Sequence, residues 1–219
     1  MGNLMLKEKI RHLLEAIFTA LLFGTQTILN AGIFISIMSI PLLPYLFYFL
    51  SGQYPLTALE FNIHVMLLAK KFWIGRAIAL IGVVVLLLAA AQFLWNRYKD
   101  VGLIKTGMYS MVRHPQFSGI IMITVGLTVM VLTNSTERLF QIVGLWLMQI
   151  LGYIAIARYE EWCLSKNFGE EYRQYQRKVP FLFMVKCPSR IPETLFTILI
   201  TALICCFLLF FLYNLILIH

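Results

Sequence analysis

The chain has 219 residues, of which 60% are hydrophobic and only 13% are charged. A soluble domain of this size carries about 25% charged residues, so the composition excludes an ordinary soluble enzyme and indicates an integral membrane protein. The net charge of +8 suits contact with anionic lipid headgroups. We expect no nucleic-acid partner, because no basic patch with interleaved aromatic residues lies outside the apolar runs. The cysteines and histidines lack metal-ligand spacing, so we expect no metal site.

Several segments are apolar and long enough to cross a hydrocarbon core of about 30 Å. Pro41 and Pro44 bend the chain after the first of these segments. A turn near residues 30–32 would instead divide that segment into two short spans. Residues 51–71 are predicted to form a loop with an amphipathic portion. The predicted spans, in chain order, are residues 13–38, 72–95, 117–133, 139–157 and 194–217.

The positions of lysine and arginine residues indicate the orientation. With five spans and a cytoplasmic N-terminus, the charged blocks at 96–116 and 158–193 are both cytoplasmic, together with most of the 18 basic residues. Six spans would place Lys7, Lys9 and Arg11 outside, which the positive-inside rule disfavours. We therefore predict an all-α, polytopic membrane helical bundle with five transmembrane helices, with six as the alternative. Its predicted parts are an N-terminal membrane segment and loop (1–71), a core (72–193) and an additional C-terminal transmembrane helix (194–219).

The third and fourth predicted spans form a helical hairpin, because only a short connection joins them. Whatever precedes Phe117 and whatever follows Ala157 must then lie on the same membrane face. Residues far apart in sequence, such as Arg113 and Glu160, are thereby brought to one level. The hairpin therefore predicts that the two charged blocks are neighbours.

The first charged block contains the sequence GLIKTGMYSMVRHPQFSG. Pro115 restrains His114 to an extended backbone and suits the first turn of the next helix. Arg113 and His114 are therefore predicted to lie at the N-terminal end of a transmembrane helix. The unpaired backbone N–H groups there suit a carboxylate or phosphate. In the alternative interpretation, Arg113 reaches lipid phosphates and His114 is an ordinary interfacial residue.

The second charged block begins RYEEWCLSKNFGEEYRQYQRKVP. Glu160 and Glu161 directly follow a span, where a carboxylate is unfavourable unless it is solvated or paired. Gly169 is predicted to interrupt the helix, and Tyr172 and Tyr175 share one face after it. In the alternative interpretation, this block is a solvated amphipathic helix on the interface, with Glu–Arg pairs at its surface.

Together the two blocks offer groups complementary to S-adenosylmethionine. The carboxylates of Glu160 and Glu161 suit a cationic group, while Arg113 and the N-terminal end of the following helix suit a carboxylate. Aromatic faces stabilise a sulfonium. No G-x-G-x-x-G sequence occurs, so a Rossmann-type cofactor domain is excluded. The aromatic residues of the two blocks are Tyr109, Phe117, Tyr172 and Tyr175.

At these residues the sequence resembles the isoprenylcysteine carboxyl methyltransferase and phospholipid methyltransferase superfamily. The first matching element is G-x-Y-x-x-x-R-H-P-x-[YF]-x-G, residues 107–119. The second is E-E-x-x-L-x-x-x-F-G-x-x-Y-x-x-Y, residues 160–175, followed by Val179 and Pro180. The similarity covers roughly residues 75–185.

The resemblance implies a membrane enzyme that binds S-adenosylmethionine in a cytoplasmic pocket and methylates a lipophilic acceptor entering from the bilayer. Our hypothesis for the catalytic residues is Arg113, Arg158 and Glu161. Either arginine could orient a carboxylate acceptor, whereas an amine or thiol acceptor would need a base such as Glu161 or His114. The residues leave this choice open. The implied cofactor contacts are Leu103, Ile104, Tyr109, His114, Pro115, Gln116, Phe117, Gly119, Glu160 and Tyr172.

Two departures from the family pattern weaken the assignment to prenylcysteine substrates. Carboxyl methyltransferases have an arginine where this chain has Ile156, and Arg158 is the nearest arginine. The chain also continues into the span 194–217. The alternatives to a methyltransferase are a non-catalytic membrane scaffold that kept the fold and a sterol-type membrane reductase. The reductase is disfavoured because no additional arginine cluster for a nicotinamide phosphate is apparent.

Overall fold

The structure is a computed structural model, and it describes residues 36–51, 68–99, 101–134, 139–188 and 191–217. The regular secondary structure of these residues is entirely helical, which confirms the all-α prediction for this part of the chain. The chain divides into two units, Met1–Ile40 and Pro41–His219. The second unit contains the α-helices described below. Most of the first predicted span, the turn near 30–32 and most of the loop at 51–71 lie outside the described residues.

The helices of the second unit contain the later predicted spans. The span at 72–95 lies within the continuous helical stretch Lys70–Tyr98, and the spans at 117–133 and 194–217 each lie within one helix. The helix that contains 139–157 continues through Glu160 and Glu161. Short 3-10 helices, Ile40–Leu42 and Lys70–Phe72, precede the first two α-helices. The described α-helices are α1 (Leu43–Ser51), α2 (Trp73–Tyr98), α3 (Met108–Met111), α4 (Pro115–Asn134), α5 (Leu139–Lys178) and α6 (Glu193–Leu217).

Two helical stretches in the described residues, Lys70–Tyr98 and Phe140–Lys178, are long and apolar enough to cross a membrane. Pro115–Val131 and Glu193–Phe207 are shorter apolar helices. Large apolar side chains of α2 are exposed, which is favourable in contact with lipid and unfavourable in water. The total number of spans stays a prediction. The exposed side chains of α2 include Leu80, Ile81, Val84, Leu87 and Leu88.

Helices α2 and α4 approach closely because glycines on each helix face the backbone of the other. A Cβ atom at Gly82 would lie 2.6 Å from the Ile123 nitrogen, and one at Gly119 would lie 2.8 Å from backbone of α2. The same close approach recurs further along the helices, where a Cβ at Gly75 would lie 2.6 Å from the Gly126 carbonyl oxygen. Small residues allow such helix crossings. The crossing fixes the N-terminal end of α4 against α2.

Helix α5 is interrupted at Gly169, as the sequence predicts. This glycine has φ +52° and ψ −122°, a backbone conformation that side-chain-bearing residues avoid. The segment after the break packs back onto the segment before it through a cluster of apolar and aromatic side chains. The buried members of this cluster are Tyr172, Tyr175 and Val179, and Leu103, Leu164 and Phe168 pack against them.

Candidate functional site

Arg113 and His114 lie between α3 and α4, at the predicted N-terminal end of a long apolar helix. Helix α4 begins at Pro115, as its fixed φ favours. The Arg113 backbone N–H donates to the Pro180 carbonyl at 3.0 Å, so the two sequence motifs are joined through the main chain. Both side chains are buried. Burial at this position excludes the interpretation that Arg113 extends to lipid phosphates.

Glu161 lies between two arginines. Its Oε1 is 2.8 Å from Arg113 Nε, and its Oε2 accepts a hydrogen bond from Arg158 Nη1 at 2.8 Å. Gln176 Nε2 also donates to Oε2 at 3.4 Å. The side chain of Glu161 is only 5% exposed. These contacts confirm that residues before Phe117 and residues after Ala157 meet, as the hairpin predicts.

Glu193, the first residue of α6, completes the pairing of both arginines. Arg113 Nη2 donates to Glu193 Oε2 at 2.5 Å, and Arg158 Nη1 lies 3.6 Å from the same oxygen. No sequence motif included Glu193. The available signal was an acidic residue at the N-terminus of a helix, where a negative charge is favourable. We call the following residues the Arg–His–Glu network: Arg113, His114, Arg158, Glu160, Glu161 and Glu193.

His114 connects the two adjacent glutamates. Its Nδ1 lies 3.3 Å from Glu160 Oε2, and its Nε2 lies 3.6 Å from Glu161 Oε1. Burial alone would lower the pKa of His114, but its polar contacts with Glu160 and Glu161 and their negative charges outweigh burial and raise it. Burial would likewise raise the pKa of Glu161, but His114, Arg113 and Arg158 lower it. The contacts therefore favour a charged imidazolium beside a charged carboxylate.

Phe181 provides an aromatic face beside the cationic side chains. The guanidinium carbons of Arg158 and Arg113 lie 4.6 Å and 5.5 Å from its ring centroid. The His114 ring packs edge-on against it, with centroids 5.3 Å apart. Such cation–π contacts stabilise cations that have left water. Phe181 directly follows the Val179–Pro180 pair, which was the only sequence signal for it.

The tyrosines of the two motifs are buried and linked to each other. Tyr175 Oη donates to the Tyr109 carbonyl at 2.6 Å, and Gln116 Nε2 donates to Tyr109 Oη. Burial raises the pKa of Tyr109, and the Glu160 charge raises it further. Burial and the Glu161 charge similarly raise the pKa of Tyr172. These phenols therefore stay neutral at physiological pH and offer hydrogen bonds and aromatic faces rather than bases.

The remaining predicted site residues have different surroundings. Phe117 is buried and stacks on His114 with centroids 5.6 Å apart. Leu103 packs on the Tyr172 cluster, and Ile104 is half-buried. Gly119 lies at the crossing of α2 and α4, where close packing accounts for a glycine without a ligand.

Several buried polar atoms of the site make no hydrogen bond of normal geometry within the described residues. Arg113 Nε and Glu161 Oε1 belong to this set although they are 2.8 Å apart, because the N–H direction misses the oxygen. Buried polar atoms rarely lack partners, so this set is suited to a polar ligand. The Glu160 side chain is 36% exposed and is therefore also accessible. The buried atoms of the site that lack such a hydrogen bond are Arg113 Nε, His114 Nε2, Glu161 Oε1 and Tyr172 Oη.

A cavity of about 390 Å³ lies beside the network. Its wall contains Glu193 and Gln176, two residues that contact the arginines, together with the apolar Val179, Pro180 and Ile191. Arg177 and Lys186 also line it and are exposed. The volume lies within the range of small-molecule sites, and the lining mixes charged and apolar residues.

Within the described residues, the fold and the site define a helical protein with two membrane-length apolar helices and a largely buried Arg–His–Glu network at the junction of two sequence motifs. The family described as "Protein of unknown function (DUF1295)" matches residues 16–179, and the chain belongs to this family.

Among curated proteins, the chain is 34% identical over 116 residues to the nickel-cobalt-cadmium resistance protein NccN of Alcaligenes xylosoxydans xylosoxydans, covering 51% of this chain and 52% of that protein. It is 31% identical over 122 residues to a probable protein-S-isoprenylcysteine O-methyltransferase in each of Oryza sativa subsp. indica and subsp. japonica, covering 50% of this chain and 61% of those proteins. The chain thus spans little more than half the length of these relatives. No solved structure matches it.

Proposed function

We propose that this protein is a membrane-embedded methyltransferase that uses S-adenosylmethionine to methylate a lipophilic acceptor. The observation that carries the proposal is the buried network in which Arg113 and His114 of the first motif contact Glu160 and Glu161 of the second. The similarity to the two probable rice methyltransferases supports the same reaction class. We further propose a multi-pass topology of five spans with the network on the cytoplasmic side, because the basic residues concentrate beside it.

The residues of the site fit S-adenosylmethionine. Glu160 offers a partly exposed carboxylate for the ammonium group, and its exposure means that it can be reached without breaking the arginine pairs. Arg113 and His114 carry buried nitrogens without a well-aligned acceptor, which suit the cofactor carboxylate. Phe117 and Tyr172 provide aromatic surface beside them for the sulfonium.

When bound, S-adenosylmethionine supplies a methyl group whose bond to sulfur breaks as the bond to the acceptor forms, the electron pair remaining on sulfur. The protein residues then have positioning roles. His114 orients Glu160 through Nδ1, and Arg113 with Arg158 fixes Glu161. Burial keeps water from the site, which strengthens these interactions. Glu161 is a poor general base, because its neighbours lower its pKa, so we assign it a positioning role.

The proposal predicts that Glu160→Gln weakens S-adenosylmethionine binding by roughly tenfold to a hundredfold, the size expected for one charge-assisted contact. Binding is measured by calorimetry on the full chain in detergent, with thermal unfolding as a check on folding. Glu170→Gln is the matched control, because it removes the same charge from the same helix. The Glu170 side chain is exposed, and its ion pair with Arg173 is long, at 3.9 Å.

Unchanged binding in the Glu160 variant would contradict the site assignment. A folded wild-type chain that binds no S-adenosylmethionine would indicate the scaffold alternative. A chain that instead binds a reduced nicotinamide cofactor would indicate the reductase.

A further inference from the structure

The cavity of about 390 Å³ has charged side chains of both signs in its wall, and they differ in how they are paired. Glu193 contacts Arg113 and Arg158, so its negative charge is already balanced within the protein. Arg177 and Lys186 are exposed, and neither has an acidic partner among the residues that the structure describes. The cavity therefore has an excess of positive charge, which favours an anionic ligand.

The position of the cavity along α6 indicates its depth in the membrane. Glu193, which lines the cavity, is the first residue of α6, and the predicted span 194–217 begins directly after it. A transmembrane helix enters the hydrocarbon core close to the level of the lipid headgroups. With α6 as a span, Arg177 and Lys186 therefore lie at the level of the lipid phosphates.

Apolar side chains continue from the cavity along the first turns of α6. A narrower cleft shares Glu193 with the cavity and is lined further along the helix by Phe196 and Ile200. On the same turns, α6 exposes the large apolar side chains of Leu195 and Ile198, which acyl chains can cover. The order along α6, with cations first and apolar side chains next, matches the order of phosphate and acyl chain in a phospholipid.

We propose that this cavity is a binding site for an anionic membrane lipid, whose phosphate contacts Arg177 and Lys186 and whose acyl chains lie along α6. A guanidinium group can bind two phosphate oxygens at once, and an ammonium group adds a point charge. An anionic lipid fits better than a zwitterionic one, because the Glu193 carboxylate is already paired and the cavity wall has no other carboxylate for a lipid ammonium group. The site is additional to the proposed methyltransferase function and requires no cofactor.

The test titrates the full chain in detergent with dioleoyl-phosphatidylglycerol and counts bound lipid by native mass spectrometry. Dioleoylglycerol has the same acyl chains without the phosphate, and glycerol 3-phosphate has the phosphate without the chains. We expect wild-type protein to bind the phospholipid at least tenfold more tightly than either of these probes. Each cation near an anionic lipid contributes roughly fivefold to binding, so the double substitution Arg177→Gln, Lys186→Gln should weaken phospholipid binding by roughly tenfold to thirtyfold.

The matched control is Arg173→Gln with Lys178→Gln, which removes one arginine and one lysine that are exposed but lie outside the cavity wall. This control should change phospholipid binding by less than about threefold. The exchange Arg177→Lys with Lys186→Arg keeps both charges and should retain most of the binding, and thermal unfolding checks that every variant is folded.

Equal losses in the two double substitutions would overturn the inference, because they would indicate diffuse attraction to the whole basic surface. Dioleoylglycerol binding as tight as that of the phospholipid would exclude a phosphate site, and equally tight glycerol 3-phosphate binding would indicate a soluble ligand in place of a lipid. Phosphatidylglycerol carries no amine, thiol or carboxylate, and its binding is measured without S-adenosylmethionine. Failure of the methyltransferase proposal would therefore leave this result unchanged.

Discussion

Arg113, His114 and Glu161 are buried together in the Arg–His–Glu network, where a low dielectric favours the neutral form of an ionisable group that has no charged partner. Their charged forms are stabilised because every member has an oppositely charged neighbour within 3.6 Å. Removing one partner would leave another charge uncompensated, which costs more than the pair itself contributes. The network is therefore sensitive to protonation at His114.

The His114 contacts predict a pH-dependent contribution to stability. The pKa of His114 is raised above 6.5, so its contribution is fully present below pH 6.5 and is lost as pH rises through the raised value. The pKa of Glu161 is lowered below 4.5, so its contribution is present above pH 4.5 and is lost as pH falls through the lowered value. Both contributions to stability are therefore fully present between pH 4.5 and pH 6.5.

We expect the unfolding temperature of wild type to exceed that of His114→Gln near pH 6, and the difference to shrink as the pH becomes alkaline. Thermal unfolding in detergent across this range measures it. A difference that does not change with pH would show that His114 contributes only by packing.

The sequence motifs predicted Arg113, His114, Glu160 and Glu161 as one site because membrane geometry brings their two blocks to one level. Phe181 and Glu193 were missed because neither stands within a motif. Arg113 and Glu193 are separated by 80 positions, and no local pattern specifies a contact of that kind. The sequence made Glu161 a candidate base, and its two arginine partners are the reason that we propose a positioning role for it.

At the scale of helices, the break in α5 determines where the second motif folds back. Gly169 interrupts the helix, and the tyrosine cluster beyond it then packs on Leu164 and Phe168. The sequence predicted this break because glycine is the residue that tolerates it. It did not predict the close crossing of α2 and α4, because the Gly82–Ile123 contact depends on how two distant helices meet.

Gly169→Ala should destabilise the protein by about 1–3 kcal/mol, because alanine is strained at φ +52° although no atom would obstruct its Cβ. Gly144→Ala is the matched control on the same helix: its Cβ also meets nothing within 4 Å, but its backbone is helical. We expect this control to be neutral or stabilising by up to about 1 kcal/mol. Equal effects of the two substitutions, measured by unfolding in mixed micelles, would contradict a strained conformation at Gly169.

For the whole molecule, the proposed topology places both charged blocks on the cytoplasmic side of one helical hairpin. Residues of the two blocks are in direct contact, as the 2.6 Å pair between Lys105 and Glu171 also shows. Contact requires that both blocks lie on one side, and the distribution of basic residues is the reason that we propose the cytoplasmic side.

In a variant without native cysteines, Lys105→Cys and Lys166→Cys should react with an impermeant maleimide from the cytoplasmic side only. Thr136→Cys, in the connection between the two hairpin spans, should react from the opposite side only. Labelling of right-side-out and inverted vesicles measures both. Labelling of positions 105 and 166 from opposite sides would contradict the hairpin, and labelling of all three from one side would contradict a spanning hairpin.

The sequence by itself determined the helices, the break at Gly169 and the meeting of the two motifs. Apolar length, backbone tolerance and the bilayer dictate these features through local or one-dimensional rules. Only the tertiary structure decided which charges pair: Arg113 binds Glu193 and Glu161, while Glu160 stays partly exposed. Adjacent glutamates acquire different roles because the rotation of α5 and the position of α6 set their surroundings, and neither is encoded in the spacing of residues along the chain.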